Sequence, residues 1–380
     1  MKNIQPSIPY IGNLDGLRAI AVLLVLFDHW SPTKSMHDII EFGRTGLLLF
    51  FMLSGFLITS VLLSLKTKIA SGSISPRKAL LNFYQRRFLR LFPVYFLALI
   101  FAVKIVQGVR PDIIFHLLFL QNLSAMFYDV QPIYGIANHL WSLGVEEQFY
   151  LLWAPAVLIF FKTKQMIRIC FVAIIAALIY KLCCSIFNFS DWALRLNTLG
   201  NIDSLAIGCL LAIDRKFNIL TWNSDQSLRI KSILTWSVPL ILFTFIFINQ
   251  ISGYYDARQY PTYFVFHDSL MQVPLWLLLH YSVCSGVDNK FLCNKAVVWI
   301  GQRSYGIYVW HNFVSYGCMY YFQRKLGIIL EERYSFISLI VFTIATLIIA
   351  AASWRFIELP FLRYKSKLDD GKKSAPVVII

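Results

Sequence analysis

The chain has 380 residues, of which 58% are hydrophobic, 16% aromatic and 14% charged, and its mean hydropathy is +0.62. Those values exclude an ordinary soluble globular protein and define an integral membrane protein. A formal net charge of +15 would suggest nucleic acid in a soluble domain. Here the basic residues gather in short breaks between apolar runs, where they act as topology and membrane-surface signals and imply no nucleic-acid partner.

Crossing a hydrocarbon core of roughly 30 Å takes about 20 residues. Ten segments read as spans: 14–32, 45–65, 91–107, 140–161, 169–187, 199–213, 232–249, 261–283, 304–322 and 335–355. The predicted fold is an all-α polytopic membrane protein with about ten transmembrane helices around a central polar cavity. An N-terminus in the cytoplasm puts 24 Lys and Arg residues on the inner side and nine outside, with Arg18 and Lys181 left within helices. That imbalance predicts that both termini are cytoplasmic. Residues 1–364 are expected to form one membrane domain and 365–380 a short cytoplasmic tail. Asp15 and Arg18 interrupt the first apolar run and no small-residue cleavage site follows, so the first helix is expected to be an uncleaved anchor. The seven cysteines show neither metal-ligand spacing nor an even disulfide framework, which predicts buried free thiols and no metal.

In chain order, the first span, LDGLRAIAVLLVLFDH, carries Arg18 and His29 eleven residues apart. On a helix that separation turns about 1100°, some 20° past three whole turns, and rises about 16 Å, so both side chains leave one face at different depths. An ionisable residue at membrane depth marks a cavity or a substrate path. A snorkelling Arg and a hydrogen-bonded core His are the structural alternatives. The second span, GRTGLLLFFMLSGFLI, holds Gly43, Gly46, Ser54 and Gly55. Close helix approach explains such small residues better than a nucleophilic Ser54, which needs a base within hydrogen-bond reach.

The stretch NFYQRRFLRLFPVYF puts Arg86, Arg87 and Arg90 in the loop just before the third span. Positive-inside anchoring and phosphate binding both fit, and Arg87 and Arg90 share a helical face with the planar donors that suit phosphate. Residues 112–127 form a short apolar run that would invert the topology if it crossed, so it reads as a re-entrant or interfacial helix. In HLWSLGVEEQFYLLW, His139, Glu146, Glu147 and Gln148 enter the fourth span. The two carboxylates point about 100° apart, so one can face a cavity while the other meets a neighbouring helix. A carboxylate near His29 would orient it and stabilise its protonated form. Further on, Asp203 lies on the sixth span, and SYGIYVWHNFV places Ser304, Tyr305, Tyr308 and His311 on the ninth, with Tyr308 and His311 on one face. Arg355, Glu358 and Arg363 in WRFIELPFLR read as a structural ion-pair cluster at the end of the tenth.

Six ordered blocks, LDGLRAIAVLLVLFDH, FFMLSGFLI, RRFLRLFPVY, LWSLGVEEQFYLLW, SYGIYVWH and FIELPFLR, resemble the acyltransferase 3 family of bacterial membrane O-acyltransferases over residues 10–364. Gly144 stands where the family more often has Ser, a change expected to be tolerated; Asn201 stands where an Arg is frequent; and Asp28 is not a usual feature and is not assigned as the partner of His29. The resemblance implies a bacterial cytoplasmic-membrane enzyme that moves an acetyl or acyl group from acetyl-CoA, supplied on the cytoplasmic side, to a sugar hydroxyl. The acceptor would be a lipid-linked or surface polysaccharide such as lipopolysaccharide O-antigen. On this reading Arg86, Arg87 and Arg90, with Arg18, bind the donor, and the pantetheine arm passes Arg18 to reach His29. His29 is the general base, oriented by Glu147 or Glu146, while Tyr308, His311 and Ser54 hold the acceptor or the developing oxyanion. Direct transfer and an acyl-enzyme on His29 or Ser54 both remain open. The alternatives are a macrolide or other small lipophilic acceptor and, more remotely, a polar-lipid transporter, for which no inverted repeat is visible.

Overall fold

The computed structural model describes residues 11–33, 41–106, 113–123, 135–187, 189, 191–219, 261–284, 288–331 and 335–363. The expected seventh span at 232–249 and the tail at 365–380 lie outside the described residues. Every element found among the described residues is helical. In chain order these are α1 Gly12–His29, α2 Phe42–Ala70, α3 Pro76–Val106, a short α4 Ile113–Leu117, α5 Trp141–Pro155, α6 Thr163–Ile186, α7 Asp191–Leu196, α8 Ile202–Phe217, α9 Pro261–Cys284, α10 Lys295–Gln302, α11 Ser304–Tyr321 and α12 Phe336–Ser353.

Among the described residues, five helical stretches are long and apolar enough to cross a membrane: Phe42–Ala70, Pro76–Ile105, Ile136–Phe160, Thr163–Ile186 and Phe336–Arg363. The expected spans at 14–32, 199–213, 261–283 and 304–322 are helices as well. α1, however, carries Asp15, Arg18 and Asp28 within its 18 residues, and α8 is only 16 residues long. The central element is α2, whose apolar window is 78% buried against 28–44% for the other four. Gly55 and Gly208 explain its tightest contact. A methyl group on Gly55 would strike the carbonyl of Leu205 on α8, and one on Gly208 would strike the carbonyl of Met52 on α2, so the two helices meet backbone to backbone.

Two differences from the sequence reading bear on the arginines. The third helix does not begin at residue 91; α3 starts at Pro76 and runs 31 residues, so Arg86, Arg87 and Arg90 sit inside it rather than in a preceding loop. Arg87 and Arg90 are therefore about 17 and 21 Å along the helix from its first residue. The second is Arg44, counted above as an outer-loop cation, which is buried in the first turn of α2.

Of the 112–127 run, residues 113–123 are described, and they do not form one continuous helix. After α4 the chain turns at Phe119, whose φ of 56° is in the left-handed region, and His116, Gln121 and Asn122 are buried. Non-helical backbone at membrane depth must be satisfied by protein. Tyr95 on α3 donates to the carbonyl of His116 at 2.8 Å, and Gln148 on α5 donates to that of Phe119 at 2.8 Å and to Asn122 Oδ1 at 2.7 Å. Gln121 in turn donates to the carbonyl of Leu140 at 2.7 Å. The segment lies so close to α5 that a Cβ on Gly144 would come within 3.0 Å of the Phe119 carbonyl and 3.1 Å of Asn122 Oδ1. Ser at this position would thus need the segment to shift by a few tenths of an ångström, and Gly144 lets it seat without that adjustment.

At the other end of α5, Pro155 has no N–H and so leaves the carbonyl of Leu151 without its helical donor. The hydroxyl of Tyr84 on α3 takes that role at 2.9 Å. Lys66 on α2 then donates to the carbonyls of Val157, at 2.5 Å, and Phe161.

A polar cluster is buried where α2, α6, α8 and α9 meet. Arg44 donates to Asp268 from Nε at 3.0 Å and from Nη2 at 2.5 Å, and to Asn201 Oδ1 from Nη1 at 2.7 Å. Lys181 pairs with Asp203 at 2.6 Å and with Asp268 at 3.2 Å. The two cations and two carboxylates balance, as burial of charge requires. Arg44 supplies from α2 the cation that Asn201 lacks.

Candidate active site

A cavity of about 100 Å³ lies between α1, α2, α3, α5 and α11, with Arg18, Ser54, Arg87, Arg90, Ser142, Glu146, Tyr150, Ser304, Tyr305 and Tyr308 in its walls. Three guanidinium groups therefore meet one carboxylate around a common space. Arg18 is paired with Asp15 at 2.9 Å within α1. Arg87 lies over the ring of Tyr150, 4.9 Å from its centroid. Arg90 lies within electrostatic range of both Arg18 and Arg87, and its Nη1 is buried without a hydrogen-bond partner among the described residues. An unpaired cationic donor in such a place is costly and calls for an anion. Arg86 does not line the cavity, so the sequence trio divides.

Glu146 and Glu147 diverge as their spacing requires. Glu146 faces the cavity and accepts from the Tyr150 hydroxyl at 2.8 Å. With that proton committed, Ser54 is the donor in the short Ser54–Tyr150 bond. Glu147 instead lines a second groove of about 670 Å³ along α3 and α5, which shares Arg87 and Tyr150 with the cavity and is otherwise lined by residues such as Phe88, Phe92, Leu118 and Phe119. The sequence reading joined one of these carboxylates to His29; the geometry gives Glu146 to the arginine end. Gly43 on α2 packs against Asp28, beside His29. Ser54 lies eleven residues further along α2, about 16 Å in depth.

His29, the last residue of α1, does not line the cavity. It meets His311 ring to ring at 4.8 Å between centroids, and His311 meets His139 at 4.6 Å, both edge to face. His139 comes from the 3₁₀ turn Gly135–Leu140 that leads into α5. The link between cavity and histidines is Tyr308, which lines the former and lies 5.5 and 5.6 Å from the rings of His139 and His311. Its hydroxyl donates to the carbonyl of His139 at 2.5 Å, so Ser142 donates to it at 2.7 Å. A polar column thus runs from the arginines through Tyr308 to His29, and Tyr308 with Ser142 closes it midway.

Glu358 departs from the expected ion pair. It is buried, accepts from Ser353 at 3.3 Å and lies within electrostatic range of Arg90 and Arg303, while Arg355 rests over the ring of Phe356. Sequence reasoning missed Ser142, and it missed Tyr150 although its place one turn after Glu146 on the same helix face was a usable signal. No group of three or more potential metal ligands occurs among the described residues.

Helices of membrane-crossing length around a cavity lined by three arginines, with a cluster of histidine rings beyond Tyr308, define a membrane protein with a cationic interior cavity. The chain belongs to the acyltransferase 3 family: the family's acyltransferase-domain model matches residues 11–355. It is 28% identical over 368 residues to the peptidoglycan O-acetyltransferase OatA of Listeria monocytogenes, covering 92% of this chain and 56% of that one. To the O-acetyltransferase OatA of Staphylococcus aureus it is 29% identical over 372 residues, covering 92% and 57%. This chain thus spans a little over half the length of these relatives. No solved structure matches.

Proposed function

We propose that this protein is an O-acyltransferase of the bacterial cytoplasmic membrane, with ten spans and both termini cytoplasmic, that carries an acetyl group from cytoplasmic acetyl-CoA to a hydroxyl of a cell-surface polysaccharide. The observation that carries this reading is the convergence of Arg18, Arg87 and Arg90 on one cavity, with a buried nitrogen of Arg90 left unpaired. Arg87 and Arg90 bind the donor's phosphates, Arg86 strengthens the local positive field, and Arg18 flanks the path of the pantetheine arm. Glu146 balances the arginines when no donor is bound. The thioester passes Tyr308, whose hydroxyl and that of Ser142 turn toward the oxyanion as it forms. His29 accepts the proton of the acceptor hydroxyl as its oxygen attacks the thioester carbonyl, and returns that proton to the departing thiolate of coenzyme A. Among surface polysaccharides, peptidoglycan has the support of a relative's name, and lipopolysaccharide O-antigen has none.

The test is glycan mass spectrometry on cells that lack the protein and are complemented with the intact chain or with His29→Ala at matched expression. Acetyl groups should return only with the intact chain. Normal acetylation with His29→Ala would end the mechanism.

A further inference from the structure

The histidine end of the column contains more than a base. His311 is fully buried, and its Nδ1 lies 2.6 Å from the carbonyl of Tyr308. A carbonyl only accepts, so Nδ1 carries the proton and Nε2 is a bare lone pair. That Nε2 is buried and has no hydrogen-bond partner among the described residues. His139 is fixed in the same manner. Its Nε2 donates to the carbonyl of Val309 at 3.0 Å, and its Nδ1 accepts from Asn312 Nδ2 at 3.0 Å. The His311 tautomer is therefore set by a backbone carbonyl of α11, and the His139 ring is held by the carbonyls of Val309 and Ile136 and by Asn312. His139 spends both nitrogens; His311 keeps one free. The ring of His311 is sandwiched edge to face between His139 and His29.

We infer that His311 is the positioning residue of the reaction: its free Nε2 accepts the N–H of His29, sets the tautomer that leaves the other His29 nitrogen to take the acceptor's proton, and shares the charge of the imidazolium that follows. His139 and Asn312 hold His311 from behind. An imidazole thus does what a carboxylate does in a Ser-His-Asp arrangement, in a place where Glu146 is committed elsewhere. No net proton is gained or lost, since the proton taken by His29 leaves on the coenzyme A thiol. The inference rests on the proposed acyl transfer and moves His311 from an acceptor-binding role to one behind the base.

The experiment uses the purified full chain in lipid nanodiscs. Coenzyme A release from acetyl-CoA is followed with a short peptidoglycan oligosaccharide as acceptor probe and with water alone. His311→Leu, which removes the lone pair, should lower kcat about a hundredfold on either acceptor, with KM for acetyl-CoA within twofold of the parent. His311→Gln offers a carbonyl oxygen near the same place and should regain at least a tenth of the parent kcat, although both variants disturb packing. A parental kcat in His311→Leu, or equal losses in the two variants, would overturn the relay while leaving acyl transfer in place. A wild-type chain that releases no coenzyme A with either acceptor would overturn the acyltransferase reading and the relay with it.

Discussion

Replacing Asp268 by Ala is the sharpest test of how the scaffold holds the site. Asp268 is fully buried and takes three donors, Arg44 Nε at 3.0 Å, Arg44 Nη2 at 2.5 Å and Lys181 Nζ at 3.2 Å. Without it, Arg44 and Lys181 keep Asp203 as their near carboxylate, and the more distant Glu41 is already paired with Arg195, so buried positive charge is left undercompensated. Breaking a buried pair from one side costs about 3–5 kcal/mol, against total stabilities of about 5–15 kcal/mol. At 1.4 kcal/mol per decade, 4 kcal/mol changes the folded-to-unfolded ratio by roughly a thousandfold. Heating the detergent-solubilised protein and following the monodisperse peak by gel filtration should give an unfolding temperature clearly below the parent's. Asp268→Asn, which keeps one acceptor oxygen, should fall between the two. Adding Lys181→Met to Asp268→Ala removes the surplus cation, so the double variant should lose less than the sum of the singles, by about 0.5–3 kcal/mol. An Asp268→Ala protein that unfolds at the parental temperature would refute the claim that this cluster ties α2, α6, α8 and α9 together.

Three further outcomes are expected. Gly208→Ala forces a methyl group against the Met52 carbonyl and should destabilise the protein by about 1–3 kcal/mol, read in the same heating assay. Arg90→Met removes a charge-assisted contact worth about 1.5–3 kcal/mol, so KM for acetyl-CoA should rise roughly ten- to a hundredfold with little change in unfolding temperature. Tyr308→Phe removes the hydroxyl that receives from Ser142 and donates to the His139 carbonyl; turnover should drop by about a hundredfold while KM for the donor holds, measured by coenzyme A release.

What the sequence made legible was whatever depends on one helix at a time. Arg18 and His29 were marked as unusual by their depth in an apolar run, and both lie on the polar column. The run at 112–127 was singled out by counting crossings, and its described part, 113–123, is not one continuous helix. Hydropathy failed at the start of α3. The polar stretch NFYQRR reads as a loop in one dimension, yet it is the continuation of a 31-residue helix that turns Arg87 and Arg90 inward. Partnerships between helices were illegible. Arg44 and Asp268 are 224 residues apart, and nothing local to either tells that one answers the other. For the same reason Glu147 or Glu146 was given to His29: all are ionisable and at plausible depths, but the packing of α1 against α2, with Gly43 at Asp28, sets His29 and Glu146 at opposite ends of the column. His139 was noticed as a residue, and its place behind His311 depends on a turn and a helix more than 150 residues apart.

The glycine notches between α2 and α8 limit what can move. Sliding one helix past the other would drive the Leu205 and Met52 carbonyls out of those notches and into side chains, so the pair behaves as one strut. A bundle that rocks to expose a site first to one compartment and then to the other has no hinge seam along that line. In the proposed reaction, passage would then fall to the smallest traveller, a two-carbon group on a limber tether threaded through walls that stay put, while nucleotide and sugar would each keep to their own water.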